Sequence, residues 1–132
     1  MQEDPRADRF TGLVLAGGAS RRMGRDKAFL ELGGRPLIQI VVERMLEVCA
    51  EVIIVGDDLP SYAGFGVRAI SDRFRGVGVL GGLHAGLLAA SHELSLAVGC
   101  DMPFLKPDVL RAFAAWAEGY DVALLRHNGY VE

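Results

Sequence analysis

The chain has few of the features that mark secreted, membrane-spanning or disulfide-bonded proteins. Only two of its 132 residues are cysteines, and Cys49 and Cys100 fit neither a CxxC pair nor a zinc-ligand spacing. No apolar run approaches the roughly 18 residues that a membrane helix needs. The polar stretch 1–9 lacks the apolar centre of a signal peptide. These absences predict two reduced, buried thiols and a cytoplasmic protein without membrane contacts.

The chain also lacks an excess of positive charge. Its formal net charge is −3, which gives no support for non-specific binding to nucleic acid or to a membrane surface. Hydrophobic residues make up 51% of the chain and charged residues 23%, a balance that can build a core and that disordered chains do not have. An anionic ligand would therefore have to meet a local cluster of cations.

Short apolar runs alternate with helical stretches along the chain, and there is no internal repeat. The apolar runs predict strands at 10–16, 51–55, 67–70 and 94–99, and the beginning of a fifth at 122–125. The stretch 26–32 predicts a short helix or an extended turn. Amphipathic spacing predicts helices that begin at Pro36 and Pro107. A third helix is predicted to begin within the glycine-dense loop 76–82.

Buried strands that alternate with helices predict an α/β fold with a mainly parallel sheet covered on both faces. Ligands bind such sheets beyond the carboxyl ends of the strands. Three unusual loops are expected at these ends, at 17–27, 72–82 and 100–103. We therefore expect the three loops to converge on one site.

The loop after the first strand reads LAGGASRRMGRDK from Leu15 to Lys27. Two glycines directly after a strand let backbone amides approach a phosphate closely. Four cations then follow within seven residues, and they supply charge and bidentate donors for phosphate oxygens: Arg21, Arg22, Arg25 and Lys27. The spacing matches neither a Walker A loop nor a dinucleotide fingerprint. The pattern predicts a phosphate-binding loop of another type.

Two aspartates follow later strands. Asp72 precedes the glycine-dense loop, where its carboxylate could accept hydrogen bonds from sugar hydroxyls or a base edge, or could simply cap a turn. Asp101 stands at the tip of the fourth strand. A carboxylate there suits Mg²⁺, which takes oxygen ligands and usually bridges to substrate phosphates, although it could also satisfy backbone amides in a turn.

The glycine-rich loop and the segment AFLELGGRPLI that follows it resemble the signature of the molybdenum cofactor guanylyltransferases of the MobA type, within the nucleotidyltransferase superfamily. Relatives that transfer CMP tend to carry Ala-Ala-Gly where this chain has Ala16, Gly17 and Gly18, so the resemblance favours guanylyl transfer. The segment GVLGG from Gly78 is similar to the family's Gly-Pro-Leu-x-Gly, with Val79 in place of proline. The segment from Asp101 to Pro103 is similar to its Asp-x-Pro motif.

The resemblance implies a three-layer Rossmann-like sandwich of the nucleotide-diphospho-sugar transferase type. It implies that GMP passes from GTP to the terminal phosphate of molybdopterin, with Mg²⁺ on Asp101 and with Lys27, Arg21 and Asp101 as catalytic residues. Nucleotide-binding positions would be Leu15, Ala16, Gly17, Gly18, Arg22, Lys27, Gly56, Asp72, Gly78 and Leu80. The guanylyltransferases often have an asparagine near the base where this chain has Gly56, so that contact is absent or made by main chain. Molybdoenzymes or cofactor-insertion proteins would be partners.

The sequence leaves other functions open. The same chemistry could use CTP or a different phosphorylated acceptor, and a non-catalytic GTP-binding domain would carry the same loops. We expect residues 1–9 to form a tail and 10–132 a single nucleotidyltransferase domain that is incomplete at its carboxyl end. The family's second metal-binding residue and much of its pterin-binding surface have no match after Asp121.

Overall fold

The structure is a computed structural model that describes residues 9–16, 27–57, 59–71, 78–127 and 129–131. Its strands and helices follow in the order β1 Phe10–Ala16, β2 Glu31–Leu32, β3 Arg35–Pro36, α1 Leu37–Leu46, β4 Glu51–Gly56, α2 Leu59–Tyr62, β5 Arg68–Ile70, α3 Val79–Ala89, β6 Leu94–Gly99, α4 Pro107–Trp116, β7 Arg126–His127 and β8 Tyr130–Val131. Two short 3-10 helices, Lys27–Phe29 and Ala63–Phe65, are also present.

Four parallel strands form the central sheet, in the order β5-β4-β1-β6. Strand β1 pairs with β4 on one side and with β6 on the other. The chain builds outward from β1 through β4 to β5 and then returns to place β6 beyond β1. Such a reversal of strand order opens a crevice at the carboxyl edge of a parallel sheet. The predicted α/β fold with a mainly parallel sheet is confirmed.

The hydrophobic core consists of two clusters, one on each face of the sheet. Val14 and Ile54 belong to the first cluster with residues of α1 and α4, whereas Leu13 and Ile53 belong to the second with Ala85 of α3. Neighbouring residues of a strand enter opposite clusters because successive side chains point to opposite faces. Burial on both faces explains why these strands are continuous apolar runs in the sequence.

Helix α3 packs closely on the sheet because it presents small residues to it. A Cβ atom on Gly86 would lie 2.8 Å from Cδ1 of Leu13, and a Cβ on Gly82 would lie 3.7 Å from Cδ2 of Leu15. The contact at Gly82 is an ordinary van der Waals distance. Glycine costs helix stability relative to alanine, so its use at residue 86, where a Cβ atom would collide with Leu13, indicates that the short distance between α3 and β1 matters. This contact holds the strand that leads to the glycine-rich loop.

Five predictions differ from the structure, two of them by one residue: β4 ends at Gly56 and β5 begins at Arg68. The stretch predicted as a short helix or turn is a 3-10 helix followed by the β2–β3 hairpin. Pro36 belongs to that hairpin and is the N-cap of α1, not its first helical residue. The prediction of a strand beginning at 122–125 is wrong: these residues are not in a strand, and β7 begins at Arg126 and pairs with β8. An apolar run needs a partner strand to become a strand, and the described residues supply none to 122–125.

A polar cluster ties strand β1 to β4 near the amino ends of the strands. The buried hydroxyl of Thr11 donates to Oε2 of Glu51 at 2.8 Å and lies 2.9 Å from Nδ1 of His92. Because that hydroxyl has one hydrogen, Nδ1 of His92 must be the donor in the second contact. The main-chain amide and the hydroxyl of Ser91 also donate to Glu51, each at 3.0 Å.

Burial raises the pKa of Glu51, but the hydrogen bonds from Ser91 and Thr11 and the charge of His92 outweigh it. The pKa of this carboxyl therefore lies below its ordinary value of 4.5. The cluster is built around an ionised Glu51. It lies at the edge of the sheet opposite the predicted ligand site, so we assign it to stability.

The two cysteines are free and buried, as the sequence predicts. Burial raises the pKa of the Cys49 thiol to about 12, which makes it a poor nucleophile. Across the described ranges, no helix has the length and apolar character to span a membrane.

Candidate functional site

The carboxyl ends of the four parallel strands lie in register at one edge of the sheet. Ala16 pairs with Gly56, Leu15 with Gly99, and Val55 with Ile70. Strands in a sheet are about 4.8 Å apart, so the ends of β5 and β6 are separated by roughly 14 Å. A nucleoside triphosphate can span this distance, and the three loops predicted to form a site all leave the sheet from this edge.

The end of β1 is directly joined to the end of β6. The amide of Cys100 donates to the carbonyl oxygen of Leu15 at 3.1 Å. This bond extends the β1–β6 ladder beyond Gly99 and brings the residue before Asp101 next to the last residues of β1. The first residues of the glycine-rich loop and Asp101 therefore leave the sheet from adjacent strands.

Asp101 itself is exposed and follows directly on this contact. Its carboxylate turns back over the strand end: a Cβ atom built on Gly99 would lie only 2.9 Å from Oδ1 of Asp101. The absence of a side chain at residue 99 leaves the space that this orientation needs. The carboxylate is thus accessible to a ligand and is directed over the end of β6.

The chemistry of this carboxylate fits a divalent cation. The parts of the chain that the structure describes contain no group of three or more His, Cys, Asp or Glu side chains that could hold an ion by themselves. Mg²⁺ does not need such a cage, because it commonly keeps several waters and binds through one or two carboxylates together with substrate phosphates. One exposed aspartate beside the predicted phosphate-binding loop meets that requirement.

The end of β1 is also joined to the helix that follows β4. The hydroxyl of Tyr62, in α2, donates to the carbonyl oxygen of Ala16 at 3.0 Å, and both residues are buried. Gly56 packs against the same contact, since a Cβ atom there would lie 2.1 Å from the Ala16 oxygen and 2.5 Å from the Tyr62 hydroxyl. Residue 56 therefore has no room for a side chain.

The 3-10 helix Lys27–Phe29 brings the chain back to the sheet after the glycine-rich loop. The ring of Phe29 stacks on that of Tyr62, with centroids 5.9 Å apart and planes 8° from parallel. Ala28 is fully buried in the first core cluster. Lys27 begins this turn, and its backbone is therefore held close to the carboxyl edge of the sheet.

Helix α3 begins at the far side of the same edge. Gly78 is its N-cap and has φ of 67°, a left-handed value that favours glycine over other residues. Leu80 lies in the first turn and is largely exposed. Gly78 brings no side chain that could cap the helix, and amides in the first turn of a helix can donate to an anion or to a polar edge of a ligand.

The predicted site residues divide into three groups. Six of them lie at the carboxyl edge, and the backbone of a seventh, Lys27, lies there too. The six are Leu15, Ala16, Gly56, Gly78, Leu80 and Asp101. Of these, Ala16 and Gly56 are buried beneath the edge and Leu15 packs against the second core cluster. The remaining predicted residues lie outside the described residues: Gly17, Gly18, Arg21, Arg22 and Asp72. Nucleotide binding by any of these positions stays a prediction.

Sequence reasoning missed Tyr62 and Gly99. Tyr62 contacts Ala16 across 46 positions of sequence, and no local pattern indicates that a tyrosine in a four-residue helix reaches the end of the first strand. Gly99 had a weak signal, because a glycine that ends an apolar strand just before an aspartate suggests a close approach. Both residues shape the edge from which the predicted loops leave.

A family model for the MobA-like NTP transferase domain matches residues 12–132. Among curated relatives, the probable molybdenum cofactor guanylyltransferase of Pelotomaculum thermopropionicum is 44% identical over 122 residues, which cover 92% of this chain and 60% of the relative. The molybdenum cofactor guanylyltransferase of Desulfosudis oleivorans is 40% identical, over 86% of this chain and 56% of the relative. The chain thus spans a little over half the length of these relatives.

Solved structures agree with the fold. The molybdopterin-guanine dinucleotide biosynthesis protein A of Archaeoglobus fulgidus superposes with a TM-score of 0.70 at 29% identity, over 92% of this chain and 63% of that one. A CMP:2-keto-3-deoxy-manno-octonic acid synthetase complexed with CTP gives a TM-score of 0.73 at 22% identity, over 89% of this chain and 50% of that one, and shows the fold alone. The chain belongs to the family of MobA-like NTP transferase domains.

Proposed function

We propose that the chain is the nucleotide-binding part of a molybdenum cofactor guanylyltransferase, which transfers GMP from GTP to the terminal phosphate of molybdopterin and releases pyrophosphate. The observation that carries the proposal is the 3.1 Å bond from the Cys100 amide to the Leu15 carbonyl. It joins the strand end before the glycine- and arginine-rich loop to the strand end that bears Asp101. A phosphate-binding loop next to a carboxylate suited to Mg²⁺ is what nucleotidyl transfer requires.

The glycine-rich loop would hold the β- and γ-phosphates of GTP. Amides of Gly17 and Gly18 donate to phosphate oxygens, and Arg21, Arg22 and Lys27 add charge-assisted bonds. Placing these cations around the triphosphate neutralises the charge that grows on the departing pyrophosphate. The net charge of the chain is −3, so this local cluster provides the attraction that the whole chain does not.

The transfer needs little acid–base chemistry. An oxygen of the acceptor phosphate, which is already anionic, forms a bond to the α-phosphorus of GTP. The bond from that phosphorus to the bridging oxygen breaks, and its electron pair leaves with pyrophosphate. The chain contributes by positioning the two phosphates and by stabilising charge. Mg²⁺ held by Asp101 would supply Lewis-acid polarisation of the phosphate oxygens.

The part of the carboxyl edge near the end of β5 and the start of α3 would bind the nucleoside. Asp72 accepts from ribose hydroxyls or from the base, while Gly78 and the first turn of α3 with Leu80 lie against the flat ring. No side chain fits at Gly56 beside Ala16 and Tyr62, so a base contact there uses main-chain atoms.

The proposal is tested by following the α-phosphate of GTP. Protein, Mg²⁺, α-labelled GTP and molybdopterin are combined, and we expect label in a molybdopterin guanine dinucleotide with one pyrophosphate released for each transfer. CTP in place of GTP should give little product. Label transfer from CTP but not from GTP would contradict the guanylyl assignment. Tight GTP binding without any transfer would instead support a non-catalytic GTP-binding domain.

A further inference from the structure

Tyr62 is a fully buried tyrosine at the end of the four-residue helix α2. A buried tyrosine usually needs a partner for its hydroxyl, and a phenylalanine would fill the same space without that need. The hydroxyl of Tyr62 therefore adds a specific contact to β1 that packing alone would not give.

The hydroxyl of Tyr62 fixes the residue at which the glycine-rich loop begins. It donates to the carbonyl oxygen of Ala16 at 3.0 Å, and residue 17 follows directly in the sequence. The bond is buried, and a buried hydrogen bond is costlier to lose than an exposed one. The last peptide of β1 is thereby held in one orientation.

The ring of the same residue fixes the turn at which the loop ends. It lies parallel to the ring of Phe29 at 5.9 Å between centroids, and Phe29 shares a 3-10 helix with Lys27. Phe65, which follows α2 in the sequence, packs against Phe29 with the two ring centroids 6.3 Å apart. One side chain therefore contacts both the entry and the exit of residues 17–26.

We propose that Tyr62 is a positioning residue for the triphosphate: by contacting both Ala16 and the 3-10 helix Lys27–Phe29, it sets the separation between the two chain segments that bound the glycine-rich loop. The inference rests on the proposed function, because it takes that loop to be the phosphate site. A loop whose two ends are fixed has less conformational freedom to lose when a ligand binds, and the ligand then binds more tightly.

The glycine at residue 56 supports the same conclusion. Its lack of a side chain is not required by backbone conformation, since its φ is not positive. It is required by space, because the nearest atoms to a Cβ would be the Ala16 oxygen at 2.1 Å and the Tyr62 hydroxyl at 2.5 Å. The carboxyl end of β4 therefore has a glycine where the contact between Tyr62 and Ala16 needs the space.

The test compares Tyr62→Phe, which loses the hydroxyl but keeps the stacked ring, with Phe29→Leu, which loses the stack but keeps the hydroxyl. Tyr120→Phe, at an exposed tyrosine, is the matched control. For each protein, calorimetry measures the affinity for GTP, GMP and inorganic pyrophosphate in the presence of Mg²⁺. Thermal melting measures stability separately.

We expect Tyr62→Phe and Phe29→Leu to weaken GTP and pyrophosphate binding by about 3- to 10-fold, the effect of losing one buried contact. GMP binding should change less than 2-fold, because the loop addresses the β- and γ-phosphates, and Tyr120→Phe should match the parent chain. A merely structural role would lower the melting temperature and leave the relative affinities of GTP and GMP unchanged, and that result would overturn the proposal. If Tyr62→Phe does not fold, Phe29→Leu decides alone.

The two proposals fail in different ways. If the unaltered chain binds no GTP in the presence of Mg²⁺, the proposed function is contradicted and this inference falls with it. If the unaltered chain binds GTP and both variants bind it equally well, only the role of Tyr62 is contradicted.

Discussion

The carboxylate of Asp101 occupies the space that a side chain on Gly99 would need: a Cβ atom there would lie 2.9 Å from Oδ1 of Asp101. Substitution at residue 99 should therefore act on the proposed metal ligand without disturbing the core. Asp101 is exposed, so its side chain can rotate away from an added methyl group at little cost in stability.

For Gly99→Ala, we expect the Mg²⁺ concentration that half-saturates GTP binding to rise by about 3- to 10-fold, which corresponds to roughly 1 kcal/mol. The melting temperature should stay close to that of the parent. Gly64→Ala serves as the control, because no atom of the described residues lies within 4 Å of a Cβ built there. An unchanged Mg²⁺ dependence in Gly99→Ala would show that the orientation of Asp101 does not matter for the metal.

Gly56→Ala should lower the free energy of unfolding by about 1–3 kcal/mol, the usual cost of forcing a methyl group into a packed site. The nearest atom, the carbonyl oxygen of Ala16, is part of the backbone of β1 and cannot rotate away. Urea unfolding measures the change, and Gly64→Ala again provides a substitution in open space. A Gly56→Ala chain as stable as the parent would mean that the end of β1 moves easily.

Glu51→Gln should destabilise the fold by about 1–2 kcal/mol at neutral pH, because the half-buried polar cluster loses its ionised acceptor. The folded pKa of Glu51 lies below its ordinary value of 4.5. A lowered carboxyl pKa gives stability that is complete above the unfolded pKa and is lost as the pH falls through the folded pKa. The difference between the two chains should therefore shrink below pH 4.5.

Unfolding curves from neutral pH down to about pH 3 measure this difference. Glu93→Gln, at an exposed glutamate in the same turn, should leave the stability unchanged throughout. A Glu51→Gln effect that is equally large at low and neutral pH would contradict an ionised Glu51 in the fold.

Lys27→Ala should lower the rate of guanylyl transfer by about 100- to 1000-fold, the range found when one donor to a developing negative charge is removed. Circular dichroism should show an unaltered fold. Arg44→Ala, at an exposed cation of α1, should transfer GMP at the parent rate. A Lys27→Ala chain with normal turnover would remove the central cation of the proposed site.

The sequence predicted the sheet well because each of its strands is a local apolar run. Phe10–Ala16 and Leu94–Gly99 have the predicted bounds. Strand β1 is buried along almost its whole length, and burial on both faces leaves a signal in every residue of a strand. In β6 the buried residues alternate with more exposed ones, but the run is still mostly apolar in the sequence. The same reasoning was wrong for 122–125, where an apolar run has no partner strand among the described residues. Periodicity cannot distinguish these two cases, because pairing is a long-range property.

The location of the site was also predictable, since ligands of parallel sheets bind at the carboxyl edge. Its supporting contacts were not. The bond from Tyr62 to Ala16 and the stacking of Tyr62 on Phe29 join segments that are distant in sequence. The reason for a glycine at residue 56 is apparent only when these segments are seen beside it in the fold.

The central claim is that one triphosphate binds across the carboxyl ends of β1, β5 and β6. A crystal structure with Mg²⁺ and a non-hydrolysable GTP analogue tests it most directly. We expect a Mg²⁺ ion about 2.1 Å from a carboxylate oxygen of Asp101, with the β- and γ-phosphates beside residues 17–27 and the nucleoside near Gly78. A nucleotide bound elsewhere, or bound at this edge with its metal away from Asp101, would contradict the account.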